Sequence, residues 1–215
     1  MDYFISDIHF GHKKVIRFCQ RPFKTVSEMN AAIIENWNSN ISDSDRVFVI
    51  GDVFVCSHKK AAECVKQLNG HKILVKGNHD SGEKQMLNMG FDEFYRRYDY
   101  TMPDGRLALL QHFPCPDILV DSKYDLLIHG HIHIDEKVNG KKINVSADIW
   151  NYTPVSVSDL CQLKTETGPE EKIEFNITED GMLDFSCKIR MEDFSGFADY
   201  VYKEMSSRYP NRRKK

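Results

Sequence analysis

The chain has 215 residues, 41% of them apolar, and a formal net charge of −3. That length suits one domain, or one domain with an extension, and the apolar share is enough for a sizeable core. The mild acidity argues against a general pull towards nucleic-acid backbones or anionic membranes, and the basic run Arg208 to Lys215 reads as a solvated tail or a basic contact arm.

The N-terminal Met-Asp-Tyr-Phe-Ile-Ser-Asp is far shorter in its apolar part than the ~18 residues of a membrane span, and it does not resemble a signal peptide. Cys19, Cys56, Cys64, Cys115, Cys161 and Cys187 form no Cys-x-x-Cys pair. They read as reduced thiols in a cytoplasm. The Asn-x-Ser/Thr triplets at Asn144, Asn151 and Asn176 presuppose secretion and are set aside.

In chain order, the apolar run Tyr3 to Ser6 predicts a first strand. Thr25-Val-Ser-Glu28 has the form of a capping box, and Met29, Ala32, Ile33 and Trp37 follow at helical spacing, so a helix is expected over about 26–39. Trp37 and Met29 belong to its core face. Val47 to Ile50 predicts a second strand. A second helix is expected over about 58–69, ending at Asn69-Gly70. Ile73 to Lys76, Leu107 to Gln111 and Leu126 to His129 predict three more strands. The alternation of strands and helices argues for an α/β fold with a largely buried sheet. From about 165 the character changes. A Gly-Pro break precedes two strand-like runs, Ile173 to Thr178 and Met182 to Ile189, around Glu179-Asp180-Gly181, and a helix is expected near Glu192 to Ser207. The division expected is a main domain over 1–164 and a C-terminal extension over 165–215, packed on it.

Each of the five strands runs into polar residues suited to binding a metal. They are Asp7-Ile-His9, Gly51-Asp52, Gly77-Asn-His-Asp80, His112 and Gly130-His-Ile-His133. Ligands of open α/β sheets gather at the carboxyl ends of strands, so the segments should converge on one sheet edge. Residues i and i+2 of an extended segment project to one side, which pairs Asp7 with His9 and His131 with His133. Glycine at 51, 77 and 130 precedes a donor where the backbone must turn sharply or admit a close neighbour. Carboxylate, amide oxygen and imidazole without thiolate favour manganese, iron, zinc or nickel over copper(I), and the imidazole content disfavours calcium and magnesium. Any one of these short motifs is commonplace; their order, each after an apolar run, points to a metal centre.

This ordered set resembles the calcineurin-like metallophosphoesterase superfamily over residues 1 to about 155. Ser6-Asp-Ile-His-Phe-Gly-His12, Cys19-Gln-Arg-Pro-Phe23 and Ile149-Trp-Asn-Tyr-Thr-Pro-Val155 resemble its small bacterial and phage phosphoesterases. The resemblance implies a four-layer α/β/β/α sandwich of two mixed sheets. It implies two divalent metal ions, manganese first, one held by Asp7, His9 and His133, the other by Asn78, His112 and His131, with Asp52 as the bridge. A carboxylate suits cations roughly 3.5 to 4 Å apart, and a water bridging them would lose a proton near neutral pH and become the nucleophile. The resemblance makes His79 the group that protonates the leaving oxygen or stabilises the transition state, with Asp80 orienting and charging it.

His12, Arg17 and Arg21 can bind a substrate phosphate or can be ordinary exposed side chains. His129 is a candidate supporting residue, His58 and His71 read as surface histidines, and Asp148 and Asn151 can line the pocket. Cys115 lies near His112 in sequence, but the ligand set is full without it. The function expected is hydrolysis of a phosphodiester or a small phosphomonoester. The alternatives are a non-catalytic scaffold with a degraded site, which would have no reason to keep the seven ligands and His79, and a nuclease. A nuclease usually needs a basic groove, and the best candidate, Arg96-Arg97 between Tyr95 and Tyr98, also reads as a solvated loop.

Overall fold

The computed structural model describes residues 1–115, 123–133 and 136–165, and the backbone of 174–177 and 183–186. The expected helix near Glu192 to Ser207 lies outside the described residues.

Two five-stranded sheets carry the fold. The first contains β1 (Asp2–Ile5), β2 (Arg46–Val49), β3 (His71–Val75), β4 (Glu93–Tyr95) and β10 (Val155–Ser156), in the order β10-β1-β2-β3-β4. Its strands are parallel except for β10, which runs antiparallel to β1. The second contains β5 (Tyr98–Thr101), β6 (Leu107–Leu110), β7 (Leu126–His129), β8 (Val138–Asn139) and β9 (Lys142–Asn144), in the order β5-β6-β7-β9-β8. There β6, β7 and β9 are parallel and the two edge strands antiparallel. Both sheets are mixed, as the sandwich requires. A further pair, β11 (Glu174–Ile177) and β12 (Leu183–Ser186), is antiparallel with Glu174 opposite Ser186, matching the expected hairpin strands.

Strand alternation sorts the apolar residues into two layers. Ile5, Val47, Val49 and Leu74 face one side of the first sheet, where they bury Met29, Ile33 and Trp37 of α2 (Val26–Asn40), Ala61 and Val65 of α3 (His58–Val65), Met86 and Met89 of α4 (Glu83–Met89), and Val15 of α1 (Lys13–Phe18). Phe4, Phe48, Ile50, Ile73 and Val75 face the other side and meet Tyr100, Ala108, Leu110, Leu126, Ile128 and Ile143 of the second sheet. Phe4 stacks on Phe48 at 5.2 Å between ring centroids, with Tyr100 edge-on at 5.1 Å. Val157 and Leu160 of the short α5 (Val157–Gln162) close this inter-sheet core.

Thr25 caps α2 as expected, its hydroxyl accepting from the Glu28 N–H at 3.1 Å. The Glu28 carboxylate returns to the Lys24 N–H, one residue before the cap. Trp37 is fully buried and donates to the Asn69 carbonyl. The second predicted helix stops at Val65, yet Leu68 continues its buried face through the turn to Gly70.

Register decides where the site lies. Ile5 pairs with Val49 and Val49 with Leu74, so the loops after β1, β2 and β3 leave side by side. The loops after β6 and β7 leave the second sheet, where Leu110 pairs with Ile128. The expectation of one sheet edge is therefore corrected: the five segments come from two sheets. Ser6 joins them, its N–H donating to Val145 and its carbonyl accepting from Ala147.

Candidate metal centre

Asp7, His9, Asp52 and His131 have φ of 55°, 54°, 56° and 72°. Non-glycine residues in this left-handed region cost of order 1–3 kcal/mol each, a strain that concentrates at functional sites. Asp7 and His9 thus converge through a strained turn, a different route from the extended i, i+2 pattern expected of them. Close approach also explains two of the glycines. A Cβ on Gly77 would lie 2.3 Å from Asp52 Oδ1, and one on Gly130 2.1 Å from Ser6 Oγ.

Asp7 is fully buried. Its Oδ2 accepts from Ser6 Oγ at 2.6 Å and from the His131 N–H at 2.8 Å. Among the described residues its Oδ1 has no hydrogen-bond partner. That oxygen faces His133 Nε2 at 3.4 Å and His9 Nε2 at 4.0 Å. A buried, unpartnered carboxylate oxygen is costly unless a cation meets it. Asp7, His9 and His133 have the spacing to hold a metal ion, and so do Asp7, Asp52 and His112.

Asp7 belongs to both groups, and Asp52, a member of the second, also faces His9 of the first. Asp52 Oδ1 lies 3.4 Å from His112 Nε2 and its Oδ2 3.8 Å from His9 Nε2. His112 donates through Nδ1 to the Ile50 carbonyl at 2.8 Å, which turns Nε2 towards Asp52 and towards Asn78 Oδ1 at 3.1 Å. The His131 ring lies 5.2 Å from that of His112. All seven residues expected to bind metal are therefore gathered in one place.

The titration pattern suits a cation site. Burial opposes charge on Asp52, yet the hydrogen bond and charge of His112 hold its carboxyl far below the usual range. Burial also works against protonation of His112 and His133. The neighbouring carboxylates outweigh it, raising His112 to about 9 and His133 to about 10. His9 goes the other way, pushed down to about 3 by burial. The carboxylates that favour the charged form of these two imidazoles favour a divalent ion in the same way. The residues present fit a metal.

His79 is half-exposed at the mouth of the site, its Nε2 3.8 Å from Asp52 Oδ2 and its N–H donating to Asp52 Oδ1. Asp80 does not orient it. The buried Asp80 carboxylate instead accepts the backbone N–H groups of Asp52 at 3.0 Å, Val53 at 2.9 Å and Gly77 at 2.8 Å. Adjacent residues leave this loop in opposite directions, so the expected catalytic part for Asp80 is corrected to a pin between two site loops.

His12 stands in the site, its Nδ1 3.4 Å from His9 Nδ1 and its ring centroid 6.3 Å from that of His79. Arg17 is exposed, its guanidinium 5.5 Å from the Phe18 ring centroid. Arg21 is not free to bind substrate, because its side chain is buried and its donors are occupied by Asp148, the carbonyls of Asp7 and Ile8, and Met29 Sδ. Asp148 also accepts from His133 Nδ1 at 2.6 Å. The Asn151 carbonyl accepts from Asn36 Nδ2 at 3.1 Å and from Thr153 Oγ1 at 3.2 Å. His129 is buried with Nδ1 against the Gly130 carbonyl, and Cys115 is buried beside Gln111. His58 and His71 are surface residues.

Two neighbours escaped the sequence reading. Ser6 is fully buried and holds Asp7, and Cys19 lies with His133 and Asp148 in a third group of donor atoms spaced to hold a metal. Among the described residues, Cys19, Cys56, Cys64, Cys115 and Cys161 are free thiols, and no helix is long and apolar enough to cross a membrane.

The fold and this gathering of carboxylate, amide and imidazole define the class of a metallophosphoesterase. The calcineurin-like phosphoesterase family model matches residues 3–135, and the chain belongs to that family. It is 38% identical over 175 residues to the uncharacterized protein MJ1445 of Methanocaldococcus jannaschii, covering 75% of this chain and 89% of that one. It is 24% identical to the Gene 66 protein of Mycobacterium phage L5, covering 80% and 97% of the two chains. The crystal structure of a protein of unknown function from Aquifex aeolicus, AQ665, matches with a TM-score of 0.61 at 29% identity, covering 76% of this chain and 99% of that one.

Proposed function

We propose that this chain hydrolyses phosphate esters, either a phosphodiester or a small phosphomonoester, with two divalent cations. The observation that carries the reading is the buried, unpartnered Oδ1 of Asp7 facing two imidazoles, with Asp52 spanning towards His112. The chemistry that such cations supply is charge neutralisation on the phosphoryl group and a more acidic attacking water.

In this reading Asp7, His9 and His133 hold one cation and Asn78, His112 and His131 the other. Asp52 bridges, because its two oxygens face different imidazoles. The donor set suits manganese, iron, zinc or nickel, and manganese is the ion chosen for the tests. His79 gives its Nε2 proton to the leaving oxygen as the P–O bond breaks, a role supported by its half-exposed place beside Asp52. His12, which stands beside His9 and His79, contacts the non-reacting phosphoryl oxygens. The free thiols support work in a reducing, cytoplasmic compartment.

The test is a screen of the manganese-loaded protein against bis-p-nitrophenyl phosphate and p-nitrophenyl phosphate. Hydrolysis of at least one, abolished by a chelator, is expected, and the preferred substrate separates diesterase from monoesterase. A loaded protein that cleaves neither, at any pH from 6 to 10, would favour a non-catalytic scaffold.

A further inference from the structure

Arg21 follows α1 closely in sequence, yet its side chain is inaccessible to solvent. Its Nε and Nη2 grip the two oxygens of Asp148, each at 2.8 Å, in the bidentate fork that suits a carboxylate. Nη2 also donates to the Asp7 carbonyl at 2.7 Å, and Nη1 to the Ile8 carbonyl at 3.0 Å. One guanidinium therefore holds the strained turn carrying Asp7 and His9 together with Asp148, 127 residues away in sequence.

Asp148 sits in the 3₁₀ turn Ala147–Ile149. Its Oδ2 takes the His133 Nδ1–H at 2.6 Å. With Nδ1 tied there, His133 directs Nε2 at the unpartnered Oδ1 of Asp7, 3.4 Å away. A histidine ligand whose second nitrogen donates to a carboxylate has both its tautomer and its ring orientation set.

We infer that Arg21 and Asp148 are positioning residues for one metal subsite, that of Asp7, His9 and His133. This rests on the two-metal reading above. The His112 subsite has its own support in the Ile50 carbonyl, so the effect should fall on one subsite only.

The test is a manganese titration of metal-free wild type and variants, followed by calorimetry and by the electron paramagnetic resonance signal of bound manganese. Asp148→Asn keeps the side chain's shape and loses its charge. Removing one partner of a buried ion pair can unfold a protein, so the charge-balanced double variant Arg21→Met with Asp148→Leu is titrated alongside. The expected result is one manganese site weakened by about 10- to 100-fold and the other unchanged. His133→Ala should weaken the same site, and Asp148→Glu should restore part of the affinity lost in Asp148→Asn.

Two sites of unchanged affinity in variants that stay folded would overturn the inference. So would equal weakening of both, which marks a general structural role. A wild type that binds no manganese would overturn the two-metal reading itself.

Discussion

Gly130→Ala is the sharpest perturbation the geometry offers. The added Cβ would lie 2.1 Å from Ser6 Oγ, 2.4 Å from Asp7 Oδ2 and 2.6 Å from Ser6 Cβ, far inside the ~3.5 Å at which such atoms normally meet. Ser6 and Asp7 are both fully buried and stand directly on the backbone, so neither can swing aside into solvent. Overpacking costs about 1–3 kcal/mol. Breaking the 2.6 Å hydrogen bond from Ser6 to the Asp7 carboxylate adds about 1.5–3 kcal/mol, for a loss of about 2.5–6 kcal/mol. Urea unfolding of the metal-free variant should show that loss, and the displaced carboxylate should abolish manganese binding at the His133 subsite. Gly82→Ala is the control, since its Cβ would meet only the flexible end of Gln85, at 3.1 Å. A Gly130→Ala protein within about 0.5 kcal/mol of wild type, with metal binding intact, would refute this account of the site.

Three further outcomes are expected. Asp80→Ala strips the acceptor from three backbone N–H groups, at about 1–3 kcal/mol for each donor left buried, so its urea midpoint should fall sharply; an unchanged midpoint would show that the carboxylate pins nothing. His79→Ala should cut turnover by about 10²- to 10⁴-fold with metal content preserved, and full activity would remove His79 from the mechanism. Asp45 is held at about 2, against an ordinary value of 3.8, by its hydrogen bonds to the N-terminal amine and to Ser42. A depressed carboxyl stabilises the fold above its unfolded value, and that contribution is lost as pH falls from there through about 2. A carbon NMR titration should place its midpoint near 2, and a midpoint near 4 would contradict the assignment.

Much of the frame was legible because the central strands are buried and rich in aliphatic residues. Val47 to Ile50 and Leu126 to His129 lie close to where periodicity puts them. The short edge strands were not legible: Glu93–Tyr95 and Val138–Asn139 are only three and two residues long and owe their form to pairing with a neighbour. The helix Glu83–Met89 starts at Gly82 without a side-chain cap, so it gave little local signal. That two sheets, and not one, supply the site could not be read from strand ends, because pairing between distant strands decides which sheet each one joins.

The seven residues expected to bind metal could be picked out because glycine and polar residues interrupt apolar runs at each strand end. Their supports could not. Asp80 follows His79 in sequence, but in the structure it turns to the backbone of the next loop. Arg21 cannot be told from an exposed arginine until Asp148 is seen beneath it.

The most direct test is the count and coupling of manganese in the wild-type protein after loading and removal of excess ion. Two ions per chain, with the spin-coupled resonance of a pair sharing a bridging carboxylate, are expected, and Asp52→Ala should abolish the coupling. A chain that retains no manganese, or two ions that remain magnetically independent, would contradict the dinuclear centre.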